Sequence, residues 1–425
     1  MVKTMKPEIK QRIEQIHRGE LPEGYKKTKI GTIPTDWNIC TINDIATVSS
    51  GSTPNRKSEE YWNGNIPWIT TGELENGFVK QTKEAITTKA LTETNLKMYL
   101  PGTLLMAMYG QGKTRGTVAR LCIEATVNQA CAAIVVRSGL SDYVFYVLQK
   151  AYDNIRKLSN SGSQDNLNAD IIRSLTIIYP SISEQQKIVA ILATLDKVIE
   201  LYEKKIEQLQ LLKKICLRKM FPRHGKSVPE VRFTDFIMPL EQYKAKEIFE
   251  ETSDKNHPNL PVLAATQDQG MVKREDNGIK IFHDRQNEAG YKRVLPGQFV
   301  IHLRSFQGGF AHSAVEGITS PAYTVFGFKQ PEMHCDYYWK YIFLSDDFVK
   351  RLETVTYGIR DGRNINYDEF LDMTFFVPSY KEQKAISIFL LNLDHLITLH
   401  QRRLDEEKRK KKALMQLLLT GIVRV

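Results

Sequence analysis

The segment "AMYGQGKTRGTV" (Ala107–Val118) is where residue types and spacing come nearest to a familiar chemistry. Gly112, Lys113 and Thr114 fit the end of a phosphate-cradling loop, in which backbone N–H groups and a lysine surround nucleotide phosphates. The first glycine of that pattern is missing, since its column holds Ala107. The parallel segment "HLRSFQGGFAH" (His302–His312) has no lysine at that place either. The match is partial, and the loop reads better as a Gly-rich hairpin tip that presents Tyr109, Gln111, Lys113 and Arg115. Other chemistries leave no mark. There is no Asn/Asp-Pro-Pro-Tyr/Phe tetrapeptide or Phe-x-Gly-x-Gly loop of an amino-methyltransferase, no Gly-x-Ser-x-Gly and no His-Glu-x-x-His. The nine histidines lack metal-ligand spacing, and the five cysteines (Cys40, Cys122, Cys131, Cys216, Cys335) form no Cys-x-x-Cys pair. The pattern is that of a binder rather than a catalyst.

The elements that position these loops come from a duplication. Pro180–Phe221 and Pro378–Leu419 superpose without a gap and share twelve identities: Pro180, Ser181, Glu184, Gln185, Ile188, Leu192, Leu195, Asp196, Ile199, Leu201, Lys213 and Lys214. Both copies read as long helices. Ile188, Leu192, Leu195, Ile199, Tyr202, Ile206 and Leu209 recur at alternating spacings of four and three, as do Ile386, Leu390, Leu393, Ile397, His400 and Leu404 in the second copy, where Leu414 resumes the register after Glu407 and Lys411. Lys213 and Lys411 interrupt this heptad seam in the same column. Ser183 is the expected cap of the first helix. A helix from Ser183 to Phe221 would be about 58 Å long.

The material before each helix repeats more faintly. "LPGTLLMAMYGQG" parallels "LPGQFVIHLRSFQGG", and the amphipathic segments Ser141–Leu158 and Cys335–Leu352 correspond, as do Asn166–Pro180 and Asn364–Pro378. Runs such as "NIPWITTGEL", "TVARL", "CAAIVV" and "YTVFGF" read as strands. The expected fold is therefore α+β. Two tandem mixed α/β domains are each followed by a long helix, and the helices pair as an antiparallel coiled coil with pseudo-two-fold symmetry. The expected boundaries are 1–182 (first domain with a helical lead-in), 183–222 (first long helix), 223–380 (second domain) and 381–425 (second long helix). The first and last segments are expected to meet and complete the two-fold arrangement.

The chain has 425 residues, with 59 basic against 49 acidic, a net +10. That excess favours an anionic partner, most simply nucleic acid. No run approaches the roughly 18 apolar residues of a membrane span, and the polar start lacks the apolar core of a secretory signal. With scattered cysteines this places the chain in a reducing cytoplasm.

On the residues "YKKTKIGTIPTDW", "PSISEQQKIVAILATLDKVI", "VPEVRFTDF", "PSYKEQKAISIFLLNLDHLI" and "LMQLLLTGIVRV", the chain resembles the specificity subunit of a Type I restriction–modification system. The resemblance implies two target-recognition domains that read an asymmetric, two-block site in double-stranded DNA. Reading heads on one face of B-DNA lie about 34 Å, one turn, apart, and the helix pair would be the ruler. It also implies that chemistry resides on partners: two methyltransferase subunits using S-adenosylmethionine, and two restriction subunits using ATP and Mg²⁺, with no cofactor or metal on this chain. Docking is expected on the outer face of the helices, including "QRRLDEEKRKKKAL" (Gln401–Leu414), with phosphate contact by its basic residues the second reading. Base readout needs Arg, Lys, Asn or Gln on loops that reach the major groove. The candidates are Tyr109, Gln111, Lys113, Arg115 and Gln164 in the first domain, and Arg304, Ser305, Gln307, His312, Arg360 and Arg363 in the second. Alternatives remain: the targeting subunit of another bipartite methylase–nuclease system, a helical scaffold with no DNA role, or an ATPase that Lys113→Ala would abolish.

Overall fold

The computed structural model describes residues 6–425 apart from 76, 95, 111, 159–165, 224, 267–268, 278–284, 303–308, 354–355 and 358–363. The chain forms two compact units, Met1–Leu201 with Arg403–Val425, and Tyr202–Arg402. Each unit takes about one half of each long helix. Those helices span Ile182–Lys219 and Tyr380–Leu418, each about 57 Å at 1.5 Å per residue.

In the first unit, a five-stranded sheet runs in the order Ala46–Ser50, Cys131–Val136, Leu104–Ala107, Val118–Leu121, Phe78–Val79. All neighbours are antiparallel except the last pair. "CAAIVV" and "LLMA" are unbroken apolar runs because both sheet faces are covered. Leu104, Met106, Ala132 and Ile134 face the main core with the Ser141–Lys150 helix, while Leu105, Ala107, Cys131 and Ala133 belong to a second cluster on the opposite face. That alternation is the period of two of a pleated strand. The main core also holds Ile188 and Leu192 of the first long helix and Met415, Leu418 and Leu419 of the second.

The second unit repeats the plan with four antiparallel strands, Phe249–Thr252, Thr324–Phe328, Phe299–Ile301 and Phe310–His312. Its core joins the Asp336–Phe343 helix to Leu209 and Cys216 of the first long helix and Ile386, Leu390 and Leu393 of the second. In both units a two-stranded sheet feeds the long helix: Thr176–Tyr179 on Asn38–Thr41, and Thr374–Val377 on Glu241–Lys244.

Ends of the chain meet inside the first unit. Tyr25 Oη donates to the Gly421 carbonyl at 2.6 Å, and Arg12 Nη1 to that of Ile422 at 2.6 Å. Gly421 has φ +71°, and a Cβ there would lie 2.5 Å from Pro34 Cγ, so the turn against the Tyr25–Pro34 hairpin requires glycine.

Candidate nucleic-acid interface and its helical frame

The strands Leu104–Ala107 and Val118–Leu121 are joined by the loop that resembles a phosphate cradle. A phosphate-binding loop runs from strand into helix N-terminus; this one runs from strand to strand, so the nucleotide-binding alternative loses its geometry. Its inner side is braced by the domain. Arg156 Nη2 donates to the Gly112 carbonyl at 2.5 Å, Arg115 Nη2 donates to the Arg156 carbonyl at 3.0 Å, and Tyr152 Oη donates to the Lys113 carbonyl. The brace leaves Tyr109 and the Lys113 side chain exposed, with Arg115 half-buried. Leu167 N donates to the Met108 carbonyl at 3.0 Å, pinning the segment after Gln164 to the base of this hairpin. Gln111 and Gln164 themselves lie outside the described residues.

In the second unit His302 N donates to the Gly309 carbonyl at 3.1 Å, closing the base of the equivalent hairpin. Arg304, Ser305, Gln307, Arg360 and Arg363 lie outside the described residues. His312 corrects the expectation. It sits inside the Phe310–His312 strand with a side chain 3% exposed, and its Nε2 lies 2.7 Å from Asp336 Oδ2. Burial pushes the Asp336 carboxyl up, but the hydrogen bond and charge of His312 outweigh it and leave that carboxyl below its ordinary range. His312 is a packing residue, because the loop ends at Gly309 and the ladder resumes.

The frame beneath the loops carries the more specific chemistry. Every predicted seam residue is buried or half-buried. Ile188, Leu192, Ile386 and Leu390 are at most 4% exposed, and Tyr202 and His400, equivalent columns of the repeat, meet ring to ring at 5.8 Å. The two lysines that interrupt the seam are ion-paired. Lys411 Nζ lies 2.6 Å from Asp196 Oδ1, and Lys213 Nζ 2.5 Å from Asp394 Oδ1. Each carboxylate also accepts a tyrosine from the domain helix: Tyr146 Oη to Asp196 Oδ2 at 2.7 Å, Tyr341 Oη to Asp394 Oδ2 at 2.8 Å. Burial first, then the neighbouring carboxylate, raises both phenols' pKa, so they act as donors.

The repeated "Pro-Ser-x-x-Glu-Gln" has a physical reading at each position. Ser181 Oγ, not Ser183, accepts from Glu184 N at 3.4 Å, as Ser379 Oγ does from Glu382 N at 3.5 Å; the helix begins at Ile182, one residue earlier than expected. Gln185 Oε1 accepts from Leu140 N at 3.0 Å and its Nε2 donates to the Pro180 carbonyl at 3.0 Å. Gln383 does the same with Cys335 N and the Pro378 carbonyl, each at 2.9 Å. This correspondence pairs Leu140 with Cys335 and Tyr146 with Tyr341, one residue away from the alignment that sets Ser141 on Cys335.

The glutamates receive arginines from the tail of the other long helix. Arg424 Nε and Nη2 donate to Glu184 Oε1 and Oε2 at 2.6 and 2.8 Å. Arg232 Nε and Nη2 donate to Glu382 at 2.6 and 2.7 Å. Forked arginine–carboxylate pairs fix geometry as well as charge, and each guanidinium is held charged chiefly by its bond to the glutamate. The sequence flagged Glu184, Gln185, Asp196 and Lys213 as identities; it gave no role to Arg232, Arg424, Tyr146 or Tyr341. Among the described residues no group of three or more His, Cys, Asp or Glu could hold a metal, and no helix is long and apolar enough to cross a membrane.

Residues 34–211 match the family model described as "Type I restriction modification DNA specificity domain". The chain is 24% identical to the Type I restriction enzyme MjaVIII specificity subunit of Methanocaldococcus jannaschii, over 95% of this chain and 96% of that one. The chain is thus similar over nearly its whole length to a Type I specificity subunit, and over residues 34–211 to the DNA specificity domain of that family. The MjaIX specificity subunit of the same organism is 32% identical over 55% of this chain, a match that spans only about half (51%) of that relative. Among solved structures, the specificity subunit from M. genitalium shares the fold with TM-score 0.56 at 13% identity, covering 90% of this chain and 96% of that one. A chain from a study of Type I complex assembly and conformational transition gives TM-score 0.55, also at 13% identity, over 92% and 99%.

Proposed function

We propose that this chain is the DNA-reading subunit of a Type I restriction–modification complex. Each α/β domain takes one block of an asymmetric two-block site, and the long helices set the interval between blocks. The observation that carries this reading is the duplicated joint: Ser, Glu, Gln, Asp, Lys, Tyr and Arg recur in equivalent roles beneath two domains whose hairpin tips differ in sequence. Corresponding frames under tips of different sequence suit a reader that holds two different half-sites in one register.

Tyr109, Lys113 and Arg115 are the described candidates for groove contact, and backbone phosphates would supply most of the affinity. Methylation and cleavage belong to partners in this reading: two methyltransferase subunits with S-adenosylmethionine, and restriction subunits with ATP and Mg²⁺. The chain itself contributes no catalytic step. Leu211, Leu212 and Ile215 are exposed along the first long helix, the kind of surface a protein partner covers.

The test is binding by the purified complex of this chain with its methyltransferase partner. Affinity for a methylated genomic motif should exceed that for scrambled DNA by about 10³-fold or more, and it should fall steeply with salt. Equal affinity for both DNAs would sink the reading and favour a scaffold role.

A further inference from the structure

We infer that Asp196 with Lys411 and Tyr146, and Asp394 with Lys213 and Tyr341, are positioning residues that fix how each recognition domain is held against its helix pair and hence which spacer length is accepted. This rests on the proposed function and goes beyond it by naming the groups that set the interval.

Each carboxylate joins three elements at one point. Asp196 stands on the first long helix, Tyr146 on the domain helix Ser141–Lys150, and Lys411 on the second long helix; Asp394, Tyr341 and Lys213 repeat this with the long helices exchanged. Even the oxygens correspond, with lysine on Oδ1 and tyrosine on Oδ2 in both. Apolar seam contacts are non-directional and tolerate small sliding or rolling of one helix on another. A carboxylate held by a tyrosine hydrogen bond on one oxygen and a lysine ion pair on the other does not, because the hydrogen bond has a short distance and a preferred angle and the ammonium fixes the second oxygen.

Stability alone is a poor explanation for the pairs. Lys411 and Asp196 side chains are only 13% and 17% exposed, and Lys213 and Asp394 are 25% and 32% exposed. An apolar pair of similar volume at such positions is often as stable or more so, and the best-attested use of a polar group in a helix seam is to fix register. The first cluster is the more buried and the more elaborate, since Lys411 Nζ also donates to Gln149 Oε1 at 3.1 Å.

The experiment uses the full chain in complex with its methyltransferase partner and a set of DNAs in which both blocks are kept while the spacer is one or two base pairs short or long. The unmodified complex should methylate a single spacing; failure to methylate any two-block motif would overturn the functional reading, and this inference with it. Tyr146→Phe removes one hydroxyl and is expected to leave the complex folded. It should raise methylation at off-length spacers, relative to the correct one, by about tenfold, the upper effect of one ordinary hydrogen bond. Tyr341→Phe should do so less. Lys411→Met should relax the spacing further and Lys411→Arg should restore it. Methylation that falls equally at every spacer, or spacer preference unchanged in both tyrosine variants, would show that the clusters serve only to hold the fold and would overturn the inference.

Discussion

Glu184 and Glu382 occupy the same column of the repeat, yet they are held differently. Glu184 shares Arg424 with the exposed Asp36 and receives Trp37 Nε1 at 2.9 Å. The Glu382 carboxylate, only 2% exposed, has the Arg232 guanidinium as its only side-chain partner among the described residues. The surroundings diverge as well. The first unit covers its tail with the Tyr25–Pro34 hairpin, whereas the corresponding lead-in Ser227–Phe236 forms no helix or strand. On the helices, Leu211, Leu212 and Ile215 have Arg409, Lys410 and Ala413 as their repeat equivalents. The second core is strongly aromatic, with Phe249 against Phe299, Phe326, Trp339, Phe343 and Phe370. The joint is the same while what it carries differs, as the proposed frame for two different reading heads requires.

The sharpest way to break this comparison is to remove the arginines. Arg232→Ala leaves Glu382 buried without a counter-charge and should cost about 4 kcal/mol in denaturant unfolding of the full chain. Arg424→Ala should cost less, about 2 kcal/mol, because Trp37 still donates to Glu184. The reverse order would mean that the second clamp is the better supported one. Next in size are Leu192→Ala and Leu390→Ala, equivalent and both fully buried. Each should lose about 3 kcal/mol, and a difference above about 1.5 kcal/mol would show that the two seams do not pack alike. Trp37→Phe should cost about 1.5 kcal/mol through the lost bond to a charged acceptor, with no counterpart in the second unit.

A further effect is pH-dependent and confined to the second unit. His334 is stacked on Phe328, and burial lowers its pKa from 6.5 to about 4. The unfolded chain therefore binds more protons than the folded one between these values. The contribution is complete above about pH 6.5 and is lost as pH falls toward 4. His334→Phe should flatten that part of the stability profile. An unchanged slope would assign the acid sensitivity elsewhere.

The seam was legible in the sequence because a heptad is a local pattern, and Ile188 through Leu414 all lie inward as the periodicity requires. The strands were legible as β-branched and aromatic runs. The clamps were not, since Arg424 and Glu184 stand 240 residues apart and nothing local marks them as partners. Lys213 and Lys411 looked like faults in an apolar stripe; only the facing aspartates explain them. His312 was misplaced for the opposite reason: polarity suggested a loop, but a buried partner, Asp336, lets the ladder keep it.

The central claim is that this chain chooses the two-block sequence its complex modifies. The most direct test is single-molecule mapping of N6-methyladenine in the host genome, with and without this gene, and with the hairpin tip 108–117 of the first domain exchanged for that of a relative. The account predicts loss of one fixed-spacing motif on deletion, and on exchange a change in one block while the other block and the interval stay. Methylation that persists without the gene while the partner methyltransferase is active would contradict it.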